Sequence, residues 1–257
     1  MERILSKQNA KVKAWAKLAT KKGRLEQKTY LLDGWHLVQE AIKAGAKFHA
    51  IMATEEQMAE HLPDVPHGVP AFEISKEVAV HIAGSKTPQG IFAEVTLPEK
   101  TFDPAYVHDG LWLFLDAIQD PGNVGTLIRT ADAAGFKGVV LGEGTADAYA
   151  PKVVRAMQGS HFHLEVLQGD LNDWITAFED NNLPVYGSEL NEEAKPYQEI
   201  QGLSAGALIV GNEGQGINPE FAKKTTANLY IPILGQAESL NVAVAGGILM
   251  FRLSLGN

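Results

Sequence analysis

Cysteine is absent from this chain of 257 residues, which excludes a disulfide scaffold, thiol catalysis and cysteine-ligated zinc, and fits a reducing compartment. Long apolar runs are missing too. The longest, residues 242–251, contains two glycines and is about half the length that a bilayer span needs. The opening stretch, Met1 to Lys7, has no apolar core of signal-peptide length. The expectation is a soluble, cytoplasmic protein without a membrane partner. Phosphate-binding fingerprints are also lacking. The glycine-rich loop at 211–217 is followed by no Lys-Ser/Thr and does not read Gly-x-Gly-x-x-Gly, which disfavours a kinase or a dehydrogenase. His161 and His163 have the spacing of a ligand pair, but no third ligand is suggested, so no metal is expected.

Positive charge is scarce overall and concentrated where it occurs. The formal net charge is −9, yet residues 1–28 hold Arg3, Lys7, Lys11, Lys13, Lys17, Lys21, Lys22, Arg24 and Lys28 against only Glu2 and Glu26. That segment is therefore +7 and the remaining chain −16. Such asymmetry suits a region that meets a polyanion. It suits a solvated basic helix on an acidic protein equally well.

What is present is ordinary globular composition, 45% apolar and 21% charged, in a length that allows one or two domains. Val12, Trp15, Leu18 and Ala19 fall at helical spacing, which predicts a helix over 6–22 stopped by Gly23. Strand and helix patterns then alternate to residue 96, interrupted by a proline-rich loop at 63–70. Residues 98–104 read as a linker between a unit at 1–98 and a second at 105–257. Beyond it, Leu111 to Leu115 form a near-continuous apolar strand, as expected where helices cover both faces of a parallel sheet. Helices at 123–135, 151–158, 170–181, 219–224 and 240–254 alternate with strands at 138–141, 164–167, 184–188, 206–210 and 228–231. The fold class is α/β with a mainly parallel sheet.

Loops after the strands of such a sheet are where ligands collect, and three of them stand out. The first runs from Asp116 through Asn123 and Arg129 to Ala131. It reads either as a chemical site or as a plain strand-to-helix turn in which Asn123 caps the helix. In the second, Gly211-Asn212-Glu213-Gly214-Gln215-Gly216-Ile217, glycines let backbone approach a ligand closely. Glu213 would repel phosphate, so a cationic or hydrogen-bonding ligand fits better. The third runs from Ile231 to Gly247, with Ser239 and Asn241 at the start of an otherwise apolar helix. N-capping of a buried helix is the plain reading. Gly246 and Gly247 would cost roughly 1 kcal/mol each in an exposed helix, which points to close backbone packing.

In this order the three segments resemble the signature motifs of the SpoU (TrmH-like) branch of the SPOUT RNA 2′-O-methyltransferases. The first resembles that family's Asn-x-Gly-x-x-x-Arg-Thr-Ala, the second its Gly-x-Glu-x-x-Gly-Ile, and the third its Ile-Pro-x-x-Gly-x-x-x-Ser-Leu-Asn-Val. Residues 150–156 and Gly159-Ser160 resemble the intervening family helix. More loosely, residues 6–13, 32–34 and 88–90 are similar to its ribosomal-protein-like RNA-binding domain.

The resemblance implies a trefoil-knotted catalytic domain and a homodimer joined by the last helix. It also implies S-adenosylmethionine as cofactor and a ribosomal or transfer RNA as substrate, methylated on a ribose 2′-hydroxyl. Carried over residue by residue, the cofactor positions are Gly211, Ile231 and Leu240. The catalytic and substrate positions are Asn123, Arg129, Glu213, Ser239 and Asn241. The basic N-terminus becomes the RNA grip, through Lys7, Lys11, Lys13, Lys17, Lys21 and Arg24. Thr126, Asn212 and Ala243 depart from the commonest family pattern. A guanidinium stays protonated in proteins, so Arg129 is read as an electrostatic clamp rather than as a base. The rival reading is an RNA-binding protein of the same fold that has lost catalysis.

Overall fold

The computed structural model describes residues 1–99, 103, 107 and 109–255. The first half comprises β1 (Glu2–Ile4), α1 (Ala10–Lys17), α2 (Lys21–Gln27), β2 (Thr29–Asp33), α3 (Trp35–Lys43), β3 (Phe48–Ala53), α4 (Glu55–His61), β4 (Ala71–Ile74), α5 (Lys76–Ala83) and β5 (Ile91–Thr96). The second half opens with β6 (Gly110–Leu115), α6 (Pro121–Ala133), β7 (Gly138–Leu141), α7 (Pro151–Met157), β8 (Glu165–Gln168) and α8 (Leu171–Asp180). It closes with β9 (Val185–Ser188), β10 (Lys195–Pro196), β11 (Ala205–Val210), α9 (Pro219–Lys224), β12 (Ala227–Tyr230) and α10 (Val242–Ser254). Most of the linker expected at 98–104 lies outside the described residues. Among the described residues no helix is long and apolar enough to cross a membrane.

The chain divides into two compact units, and one short segment changes sides. The first unit is Met1–Glu99 with Tyr149–Phe162. Its five-stranded sheet has the order β1-β4-β3-β5-β2, parallel across the first three strands and antiparallel across the last three. Helices α1 and α5 cover one face, burying Val12, Trp15, Val78 and Ile82 against Met52, Ile74 and Phe92. The carboxylate of Glu94 accepts from Trp15 Nε1 at 3.0 Å and from Thr29 Oγ1 at 2.8 Å, tying α1 and β2 to β5. Helix α7 packs on β2, where Arg155 pairs with Asp33 at 2.7 Å. The Tyr30 hydroxyl lies 2.9 Å from His161 Nε2, and burial, with Tyr149 nearby, pushes its pKa well above the usual tyrosine range.

The second unit holds a seven-stranded sheet, β10-β12-β9-β11-β6-β7-β8, in which every pairing is parallel. Alternation along β6 sends Trp112 and Phe114 to one face, where they meet Trp174 and Phe178 of α8. The opposite face carries α10 and α6, the closest helix pair of the unit. A Cβ at Gly246 would come within 2.6 Å of Leu127 Cδ2, so any larger residue there would make the Leu127 side chain shift. Gly247 is looser, with Thr130 Cγ2 at 3.4 Å.

The N-terminal helix expected over 6–22 is two helices instead. Thr20 breaks it: its backbone is extended, and its Oγ1 accepts from Gly23 N at 3.1 Å, so a new helix starts there. Gly23 lies inside α2 rather than ending a helix. A Cβ there would fall 2.1 Å from the Lys17 carbonyl oxygen, so the fold uses glycine for close approach, not for termination. Strands β1 and β10, of three and two residues, were not expected, because a pattern so short carries no readable period.

Propensity and packing give opposite signs at Gly23, and packing should win. Alanine would favour the helix by up to about 1 kcal/mol. The clash with backbone should cost about 1–3 kcal/mol. Urea denaturation of Gly23→Ala should therefore show a net loss of stability; an unchanged or raised midpoint would mean that α1 and α2 do not approach as described.

Candidate functional site

The site residues stand at the C-terminal edge of the parallel sheet, on the loops that follow β6, β11 and β12. Strands β6 and β11 are hydrogen-bonded neighbours although nearly a hundred residues separate them, and β12 lies beyond β9. A crevice at such a switch in strand order is where open α/β sheets hold ligands.

Helix α6 is capped by Asp120, whose Oδ1 accepts from Asn123 N at 2.9 Å. The cap is thus not Asn123, as the plain reading of the loop had it, and the Asn123 amide is free for other partners. It makes two. Its Nδ2 donates to Glu213 Oε1 at 3.0 Å, and its Oδ1 accepts from Asn241 Nδ2 at 3.1 Å. Asn241 in turn caps α10, its Oδ1 accepting from Ala243 N at 2.9 Å and Val244 N at 3.3 Å. Helix-end N–H groups can only donate and a carboxylate can only accept, so the two amides have one consistent orientation. All three loops meet in this chain.

The loops are also laced below it. Asp116, nearly buried, accepts from Asn218 N at 2.7 Å through Oδ2. Asn212 donates to the Ala117 carbonyl at 2.9 Å, while its Oδ1 accepts from Gly214 N and Gln215 N. Ala117 sits in the left-handed region at φ 53°, a conformation that costs a non-glycine residue energy and marks a constrained loop. Gly211 packs against the returning chain, where a Cβ would come within 2.2 Å of the Gly216 carbonyl carbon. Asn212, in sequence a mere departure from the family pattern, is the residue that shapes this loop.

The other expected positions are distributed differently. Arg129 is exposed on α6 and has no ion pair among the described residues. Ser239 and Leu240 are exposed on the segment between β12 and α10, and Ile231 is half-buried at its start. Structure thus brings Asn123, Glu213 and Asn241 together, and leaves Arg129 and Ser239 outside the hydrogen-bond chain. A cavity of about 530 Å³ opens at the ends of β6, β7 and β8, lined by Asp116, Glu143, Gln168, Asp170 and Phe221 among others. None of the expected cofactor positions lines it. His163 Nδ1 lies 2.9 Å from Asp132 Oδ2, and among the described residues no group of three or more His, Asp or Glu is placed to hold a metal.

In the first unit the basic residues do not form a uniform patch. Lys7, Lys13, Lys17 and Lys21 are exposed. Lys11 is exposed but engaged, with its Nζ 2.5 Å from Glu2 Oε2 and 4.3 Å from the centroid of the Phe72 ring. Arg24 departs from expectation: it is buried, 3% exposed, and its Nη1 donates to the Leu18 carbonyl at 2.7 Å, closing the end of α1. A guanidinium spent on a helix C-terminus is not on the surface where an RNA contact was expected.

Comparison with known proteins finds a separate match in each half of the chain. Residues 110–251 match the family model described as the SpoU rRNA Methylase family, and residues 9–93 match that of an MRM3-like substrate binding domain. The chain is 44% identical to the 23S rRNA (guanosine(2553)-2′-O)-methyltransferase RlmP of Bacillus subtilis, over 98% of this chain and 99% of that protein. Among solved structures, an AdoMet-bound rRNA methyltransferase from Sinorhizobium meliloti superposes with a TM-score of 0.87 at 29% identity, covering 98% of this chain and 97% of that one. An RNA 2′-O ribose methyltransferase does so at 0.83 and 28% identity, covering 98% and 97%.

The two roles of Asn241, capping α10 and donating to Asn123, are separable. Asn241→Ala removes both and should cost about 1–2 kcal/mol in denaturant unfolding. Asn241→Asp keeps an equally good cap and should stay within about 0.5 kcal/mol of wild type in stability. It nonetheless confronts Asn123 with an acceptor. Equal losses for both variants would remove the capping role.

Proposed function

The chain belongs to the SpoU rRNA methylase family, and we propose that it methylates the ribose 2′-hydroxyl of a guanosine in large-subunit ribosomal RNA, using S-adenosylmethionine. One observation carries the catalytic part: the loops after β6, β11 and β12 meet in the single hydrogen-bond chain Glu213–Asn123–Asn241. The choice of RNA rests on the similarity to the Bacillus subtilis enzyme across nearly the whole of both chains.

The two loops assigned to the cofactor fit it chemically. Residues 211–217 and 231–241 carry Glu213 and Glu238 and no lysine or arginine, which suits a positively charged ligand and would repel a phosphate. Gly211, Ile231 and Leu240 would hold it, largely through backbone. When bound, S-adenosylmethionine supplies a methyl group on a sulfonium, ready for in-line displacement.

What the chain adds is position and charge. Transfer to an oxygen nucleophile gains most of its rate from holding that oxygen in line. Asn123, oriented from both sides, and Glu213 fix the ribose, and Ser239 and Asn241 shape the floor beneath it. Arg129 stays protonated and acts as a fixed cation on the ribose and its phosphate, stabilising the negative charge that develops on the 2′-oxygen as its proton is released to solvent. In this reading residues 1–98 bind RNA, through Lys7, Lys11, Lys13, Lys17 and Lys21, while residues 105–257 carry out the transfer.

The same reading includes the trefoil knot and the homodimer. Supporting the knot, α10 follows β12 yet packs on α6 and β11. Supporting the dimer, Val244, Gly247, Ile248, Phe251 and Leu255 form a stripe at helical spacing on the outer face of α10, with Val244 52% and Leu255 76% exposed. A second copy covering that stripe would also bring the exposed Arg129 of each α6 near its partner. In this reading the protein works in the cytoplasm, on ribosomal RNA.

Two measurements test this reading. Arg129→Ala should bind S-adenosylmethionine within a few fold of wild type but lower single-turnover methylation of large-subunit RNA by about two to three orders of magnitude, the range for one lost transition-state contact. Wild-type turnover would remove Arg129 from the mechanism, and no ribose methylation by the wild type would remove the function.

Replacing Lys11, Lys13, Lys17 and Lys21 by glutamine should weaken RNA binding and flatten its salt dependence, because fewer phosphate counterions are released. Cofactor affinity should not move. RNA affinity that holds at every salt concentration would restore the solvated-helix reading.

A further inference from the structure

Strand β9 runs between β11 and β12, and register fixes what lies at its end. Ser188 pairs with Val210 on one side and Leu229 on the other. The next residue, Glu189, therefore stands one step on, with Gly211 to one side and Tyr230, just before Ile231, to the other. Its backbone N donates to the Leu229 carbonyl at 3.1 Å, which holds it against β12. Glu189 Oε2 is shielded from solvent and has no hydrogen-bond partner among the described residues. A carboxylate oxygen cut off from water without a donor is costly, and native folds keep such a group where something else supplies the donor.

We propose that Glu189 is a cofactor-binding residue whose carboxylate accepts a hydrogen bond from the ribose hydroxyls of the adenosyl group. The inference rests on the assignment of the Gly211 and Ile231 loops to S-adenosylmethionine. Three donors on that molecule could reach a carboxylate: the ribose diol, the adenine amine and the ammonium. The diol is favoured by the placement of Glu189. An acidic side chain at the carboxyl end of a parallel strand, beside a glycine-containing loop, is how α/β nucleotide-binding sheets hold ribose hydroxyls. Neither the periodicity nor the motifs single out this residue, which lies outside all three signature segments.

Calorimetric titration of wild type and Glu189→Gln with S-adenosylhomocysteine, its 2′-deoxy and 3′-deoxy analogues, and methylthioadenosine tests it. Wild type should bind S-adenosylhomocysteine roughly tenfold more tightly than Glu189→Gln, the scale of one charge-assisted hydrogen bond. At least one deoxy analogue should lose a similar factor on wild type and little on the variant. The difference between the proteins should persist with methylthioadenosine, which keeps the ribose and lacks the ammonium. Without ligand, Glu189→Gln should melt at or above the wild-type temperature, since it relieves a carboxylate whose Oε2 is shielded from water and has no donor among the described residues. Equal affinities, equal sensitivity to the missing hydroxyl, or a difference that vanishes with methylthioadenosine would each overturn the assignment. A wild type that binds none of these ligands would instead overturn the cofactor reading beneath it.

Discussion

The N–H groups at the start of a helix can donate and cannot accept, and much of the site follows from that constraint. At α10 they fix the Asn241 oxygen, which turns its amide nitrogen outward to Asn123. Asn123 must then offer its own nitrogen to the Glu213 carboxylate. A helix end, two amides and one carboxylate thus set each other's orientation, with no charged partner for Glu213 among the described residues. Such a chain holds its members better than isolated pairs would, because each amide has lost its freedom to flip.

That chain needs the three loops to be near one another before it can form. The parallel sheet achieves this by placing β11 directly beside β6, so that two loops distant in sequence leave the sheet side by side. Asp116 and Asn212 then bind the loops to each other through backbone groups, at the expense of a left-handed Ala117. Helix α10 packs on α6, with Gly246 leaving room for the Leu127 side chain, and so delivers the third loop. The polar connections stand on apolar ones: the seat of α10 against Leu127 sets where Asn241 can reach.

The first unit shows how charge in a sequence and charge on a surface differ. Nine cations lie within the first 28 residues, but the fold sorts them. Arg24 is withdrawn to close α1, Lys11 is shared between Glu2 and Phe72, and Lys28 pairs with Glu99 at 2.8 Å. Lys7, Lys13, Lys17 and Lys21 remain exposed. Helix α7, from the second half of the chain, is packed here by the pairing of Arg155 with Asp33, residues that no local pattern relates.

Local chemistry made much of this protein legible in advance. Period-two and helical spacing located nearly every strand and helix, since each reflects which side of an element faces a core. The loops after β6, β11 and β12 were identifiable because their glycines, amides and acids serve no obvious packing purpose. Tertiary structure alone decided how those residues are used. It made Asp120 rather than Asn123 the cap, gave Asn212 its shaping role, buried Arg24, placed Gly23 inside a helix, and set Glu189 in the row between Gly211 and Tyr230. The reason is physical. The bonds Asn123–Glu213 and Asn123–Asn241 span 90 and 118 residues, and a sequence pattern records only the neighbours of a residue along the chain, whereas burial and hydrogen-bond partners depend on neighbours in space.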